Sequence, residues 1–124
     1  MPSKRQLRVA EQIREILSEL LQFEASDPRL GGVTVMEVTV DRELMYATVY
    51  VNALGGEDAR DEVMAALDSA QGFLRRELGR RMSIQHTPEL RFHWDETLSH
   101  AERIEDLLDS LDIPPGDETD RPDG

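Results

Sequence analysis

Gly72 is followed by Arg75, Arg76, Arg80 and Arg81, a run of guanidinium groups just downstream of a glycine that interrupts a helical pattern. Guanidinium forks match phosphate oxygens and stack on bases, so this spacing suits contact with an RNA backbone. Arg76 and Arg80 fall one turn apart on one helix face. Glycine in a helix interior costs about 1 kcal/mol relative to alanine, so Gly72 needs a reason. Two reasons stay open from the residues alone. One is a bend at Ala70-Gln71-Gly72 that brings the amide N–H groups of the next helix against a phosphate. The other is a packing glycine where a second element approaches closely. The arginines also have two readings, an RNA contact or a solvated face with Glu77 and Arg81 as a helical pair. Lys4, Arg5 and Arg8 extend the patch if the first helix lies beside this one.

Other chemistry is weakly represented. His86, His93 and His100 recur every seven residues, but one precedes a proline, one falls on a strand and one at a helix start, so no shared face results. His93 with Asp95 is a close imidazole–carboxylate pair, and no metal is expected there. Cysteine is absent, which removes disulfides, thiolate nucleophiles and thiolate metal sites. None of the serines has an evident base partner. The expectation is a protein that is not an enzyme and has no cofactor or small-molecule substrate. Tyr46 and Tyr50 share one side of a strand and could stack on bases; core or rim packing is the expected role.

These residues need elements to position them. Ser3 and Gln6 form a capping box that starts a helix near Lys4, with Val9, Ile13, Ile16, Leu17, Leu20 and Leu21 on its buried side. Asp27-Pro28 and Gly31-Gly32 end it. Val33 to Asp41 and Tyr46 to Asn52 read as two strands of a hairpin, and the apolar parity changes between Val35 and Met36. That change means a bulge or a strand covered on both faces. Gly55-Gly56 opens a second helical stretch whose acidic start suits the helix dipole. Its periodicity continues past Gly72 through Phe73, Leu74, Leu78 and Met82, with a stop expected at Gly79 or just after. Pro88 leads a third strand with Leu90, Phe92 and Trp94 on one face. Asp95 and Glu96 cap or precede a last short helix over Ser99 to Leu111, and from Pro114 the chain reads as a disordered tail. The order is helix, strand, strand, helix, kink, helix, strand: an α+β two-layer sandwich, with residues 1–111 as one domain and 112–124 as an acidic tail.

Length and composition bound the reading. At 124 residues there is room for one core. No apolar run approaches the roughly 18 residues of a membrane span, the basic start is no signal peptide, and the cytoplasm is the expected compartment. The net charge of −12 opposes nucleic-acid binding unless the acids are segregated. From Asp95 onward only Arg103 and Arg121 offset a long series of Asp and Glu, so the imbalance is concentrated at that end.

Several stretches together resemble the ribosome-binding factor A family: Asp27-Pro28-Arg29-Leu30, Val33 to Val40, Ala47-Thr48-Val49-Tyr50-Val51, Gly72-Phe73-Leu74-Arg75, Leu78-Gly79 and Pro88-Glu89-Leu90-Arg91-Phe92. The resemblance covers roughly Ser3 to Leu111. It implies a KH fold of the type that begins with a helix (type II). It also implies a monomeric factor in late assembly of the 30S ribosomal subunit, one that binds the immature particle and the 5′ region of its 16S rRNA, aids 5′-end processing and supports growth in the cold. Where ordinary KH domains carry a GXXG clamp, the family has an Ala-x-Gly kink, matched here by Ala70-Gln71-Gly72. The competing reading is a protein-binding adaptor that works through the acidic last helix and tail.

Overall fold

The computed structural model describes residues 1–96; the expected last helix and tail lie outside them. α1 (Lys4–Glu19) starts as its sequence dictates. The Ser3 hydroxyl accepts from the Gln6 amide at 3.1 Å, and the Gln6 side-chain oxygen accepts from the Ser3 amide at 2.9 Å. The same Gln6 side chain donates to the Val40 carbonyl at 3.0 Å and fastens the first turn of α1 to a strand end. Beyond Glu19 the chain continues through a single π turn, Leu20–Glu24, closed by the Ala25 amide on the Leu20 carbonyl at 2.8 Å. The wider turn keeps the adjacent Leu20 and Leu21 both buried. Asp27 then accepts from the Arg29 amide and caps a short 3-10 turn, Pro28–Leu30, so the Asp-Pro break lies where the sequence places it.

β1 (Val33–Val40) and β2 (Tyr46–Ala53) pair antiparallel. Val35 faces Val51 and Glu37 faces Tyr50, so Met36 is the extra residue of a bulge. That decides the parity question: Val35 and Val38 both point inward because one residue between them is unpaired. In the connecting turn, Asp41 Oδ1 accepts from the amides of Tyr46 at 2.8 Å and Met45 at 2.7 Å, which holds its carboxyl below the usual carboxylate range.

β3 (Glu89–Trp94) lies parallel to β2, giving the order β1-β2-β3. A parallel neighbour requires a crossover, which α2 (Arg60–Ser69) and α3 (Gln71–Met82) supply. All three helices cover one sheet face. Ile13 and Leu17 of α1, Leu67 of α2, and Leu74 and Leu78 of α3 meet Val49, Val51 and Leu90 in one core. The order and layering are those expected.

α3 stops shortly after Gly79, ending at Met82 with Ser83 left-handed at φ 54°. Gly79 itself is a packing glycine, because a Cβ there would stand 2.5 Å from the Thr87 hydroxyl. Gly79→Ala is therefore expected to destabilise by about 1 kcal/mol, the overpacking outweighing the gain in helix propensity. In a Thr87→Ala background the same change should be neutral or stabilising. A double-mutant cycle by thermal melting checks this.

Candidate nucleic-acid interface

The break between α2 and α3 is at Ala70, with φ −89° and ψ 1°, rather than at Gly72. The Ala70 amide closes α2 on the Ala66 carbonyl at 3.0 Å, and its carbonyl opens α3 by accepting from the Leu74 amide at 2.9 Å. One residue thus serves both helices, and no side chain caps the first turn of α3. Gly72 sits in that turn, exposed, and a Cβ there would meet nothing within 4 Å. The packing reading of Gly72 fails on this geometry, and so does the idea that it forms the bend. What the glycine leaves is bare backbone at an uncapped helix start, where an anion can approach. Gly72→Ala is accordingly expected to keep the fold and the helix break, to hold or slightly raise the melting temperature, and to weaken RNA binding. Parallel melting curves and binding titrations check it.

α3 distributes its side chains by face. Toward β3, the Gln71 amide donates to the Leu90 carbonyl at 2.7 Å. One turn on, the half-buried Arg75 donates to the carbonyls of Thr87 at 2.8 Å and Pro88 at 3.3 Å. These two residues staple the helix to the segment that leads into β3. Toward α1, Arg81 binds Glu24 at 2.5 Å and Glu19 at 3.4 Å, with Glu77 at 4.0 Å, so its main partners lie on α1 and the π turn rather than at Glu77. Arg80 is held by both oxygens of Glu77, at 2.9 and 2.8 Å, and Arg76 on the outermost face has no acidic partner among the described residues. Of the four arginines, one is fully uncommitted.

Among the described residues the cations with neither an ion pair nor a hydrogen bond are Lys4, Arg5, Arg8, Arg42 and Arg76, and all five are exposed. Four of these five lie at one end of the molecule, in the first turns of α1 and in the β1–β2 turn, which Gln6 ties together. The first helix does contact α3, Arg81 near the end of α3 reaching Glu19 at the end of α1 and Glu24 of the π turn. Arg5 borders a cleft with Ser83 to His86, just beyond the end of α3, while Glu24 and Ala25 border Ala70 and Phe73 at its beginning. The basic groups therefore make two areas, a backbone-rich one at the break and a cationic one at the start of α1. Arg42 was missed by sequence reasoning. A predicted hairpin turn containing an arginine was the available signal, but nothing in the sequence showed which helix end that turn adjoins.

The position of the α1 cations is itself informative. Lys4 and Arg5 occupy a first turn that contains no acidic residue, against the positive end of the helix dipole. Cations at a helix N-terminus typically cost a few tenths to about 1 kcal/mol, and anions there are favoured. An arrangement unfavourable to the isolated helix is well suited to an anionic partner.

The two tyrosines lie on the open sheet face, away from the helices, rather than in the core. The Arg91 guanidinium stacks over Tyr46 at 3.8 Å, and the Tyr50 and His93 rings are 5.8 Å apart at 33°. His93 is thus occupied with a ring neighbour. Glu96 pairs with Arg60 at 2.9 Å.

Comparison with known proteins agrees with this fold. A family model described as ribosome-binding factor A matches residues 5–108. The chain is 46% identical over 108 residues to ribosome-binding factor A of Chromohalobacter salexigens, covering 86% of this chain and 82% of that relative. The crystal structure of ribosome-binding factor A from Thermus thermophilus is similar with a TM-score of 0.63 at 30% identity, over 71% of this chain and 93% of that one. A Thermus thermophilus ribosome-binding factor A homology model, fitted into a cryo-electron-microscopy map of a 30S complex, is similar with a TM-score of 0.58 at 30% identity, over 69% and 90%. The fold is KH-like, of the type that begins with a helix. With a family model spanning most of its length and relatives this similar, the chain belongs to the ribosome-binding factor A family.

Proposed function

We propose that this protein is an assembly factor of the small ribosomal subunit that binds the immature 30S particle through its 16S rRNA. Family membership is the observation that carries the reading, supported by the Thermus relative fitted in a 30S complex and by the exposed, unpaired cations of this chain. The binding surface combines the uncapped start of α3 at Ala70, Gln71 and Gly72 with Arg76 and Arg80 on its outer face, and extends to Lys4, Arg5, Arg8 and Arg42. Arg75 and Arg81 support this surface through carbonyls and carboxylates rather than lead it. Gln71 contributes its backbone, its side chain being held by Leu90.

In this reading the factor acts late in 30S maturation, favours processing of the 16S rRNA 5′ region and matters most in the cold. It works as a cytoplasmic monomer without cofactor, catalytic step or small-molecule substrate. Residues 1–111 form the working unit, a range supported by the family match reaching residue 108, and residues 112–124 are an acidic appendage. No helix of the described residues is long and apolar enough to cross a membrane. The acidic last helix and tail of the competing adaptor reading fall outside the described residues.

The test is cosedimentation with 30S subunits from cells lacking the factor, with and without charge reversal of Arg76 and Arg80. Salt-sensitive binding that the reversal weakens is the expected result. Absence of binding to subunits, or binding indifferent to the reversal and to salt, overturns the proposal. Depletion at low temperature should also accumulate 5′-extended 16S rRNA that this chain restores to mature length.

A further inference from the structure

A second feature lies at the far end of α3 from the Ala70 break, about 18 Å away at 1.5 Å per residue. There the start of α1, the β1–β2 turn and the segment after α3 enclose an open cleft of about 450 Å3. Its volume falls in the roughly 300–1,000 Å3 range of small-ligand sites. Val9, Leu44 and Pro88 provide an apolar floor, and Arg5, Glu43, Gln85 and His86 stand at the rim. None of these four polar side chains has a hydrogen-bond or ionic partner among the described residues. A cation, an amide and an imidazole around an apolar floor are what an unstacked nucleotide needs. They offer charge for its phosphate, paired donor and acceptor groups for a base edge, and a surface for the base plane.

Two further observations point to the same place. Leu44 at φ 59° and Ser83 at φ 54° are the only non-glycine residues with left-handed backbone among the described residues, and both line this cleft. Glycine usually takes such positions; a leucine there is unfavourable and turns a large side chain toward the floor. Sparsely populated backbone conformations concentrate at ligand sites. The electrostatics favour an anionic chain, because the unpaired Lys4, Arg5, Arg8 and Arg42 at this end outnumber Glu43, the carboxylate that lines the cleft beside Arg5.

We propose that this cleft seats a single unpaired nucleotide of single-stranded RNA, its phosphate at Arg5 and its base on the floor beneath Gln85 and His86. The inference rests on the RNA-binding reading above and gives it a second contact, remote from the helix break. RNA that engages both ends of α3 is thereby positioned along the helix as well as attracted to it.

The experiment titrates the full chain with a single-stranded RNA hexamer and, separately, with an abasic hexamer of the same length and charge, following backbone amide resonances. The intact hexamer is expected to shift the signals of Leu44, Met45 and Ser83 to His86 and to bind roughly tenfold more tightly than the abasic one. Gln85→Ala with His86→Ala, both exposed and checked for folding by a melting curve, should remove that difference while leaving abasic binding intact. Arg76→Glu should weaken both hexamers alike. Equal binding of intact and abasic RNA, or shifts confined to the Ala70 break, overturns the cleft assignment. Equivalent shifts from a hexaglutamate peptide assign the cleft to an acidic peptide instead and also overturn it. If the chain cosediments with 30S subunits while the base-dependent difference is absent, this inference alone has failed. If neither subunits nor hexamers bind, the RNA-binding reading fails with it.

Discussion

Lys4→Glu combined with Arg8→Glu is expected to raise the melting temperature by a few degrees and to weaken 30S binding roughly tenfold or more. The two effects have one cause. Both side chains are exposed on the first turns of α1, and neither has a partner among the described residues. In the free protein Lys4 in the first turn opposes the helix dipole, so an acid in its place relieves an unfavourable interaction. Against rRNA, each cation that meets a phosphate releases counterions, and its reversal removes that gain and adds repulsion. The binding isotherm should therefore flatten in its salt dependence, its logarithmic slope falling by about one to two. Differential scanning calorimetry and binding over a salt series read both sides of the trade. A variant that loses stability, or one that binds with unchanged salt slope, would show that these cations serve the fold.

A second large effect is expected at Arg75. Arg75→Ala should lower stability by about 2 kcal/mol, a fall in melting temperature on the order of 10 °C for a domain of this size. The guanidinium bridges two carbonyls, Thr87 and Pro88, from α3, and these belong to the segment that aligns β3 beside β2. Truncation leaves both acceptors to whatever water reaches them and removes the packed stem of the side chain. Arg76→Ala, one residue along and outward-facing, should leave the melting temperature within about 0.5 kcal/mol equivalent and act on binding alone. Urea melts of the two variants separate them. Comparable stability losses in both would contradict the division of labour between the faces of α3.

Much of the architecture was legible because local rules govern it. The Ser3 and Gln6 capping box, the Asp27-Pro28 break, the alternation in Tyr46 to Asn52 and the apolar stripe through Leu74, Leu78 and Met82 each concern residues within a few positions of one another. The bulge at Met36 was visible as a change of parity, but choosing it over a doubly covered strand required the pairing of Val35 with Val51 and Glu37 with Tyr50. The two glycines of α3 illustrate the limit. In sequence, Gly72 was the anomaly and Gly79 a terminator. In three dimensions Gly72 has open space around it, whereas Gly79 lies directly against the side chain of Thr87, a residue eight positions on that arrives beside it only when the chain folds back toward β3.

The sequence by itself determined the order of elements, the buried faces and the family, since periodicity, caps and breakers act over one or two turns and the family's motifs lie in order along the chain. It also named the basic residues. Only the tertiary structure decided what those residues are free to do. A side chain's commitment depends on neighbours distant in sequence, and these neighbours turn Arg75 and Arg81 into supports while leaving Arg76, Lys4, Arg5 and Arg8 open to solvent. Charge counted along the chain describes the whole molecule as acidic; among the described residues, folding pairs most of the arginines and leaves the remaining cations largely at the start of α1.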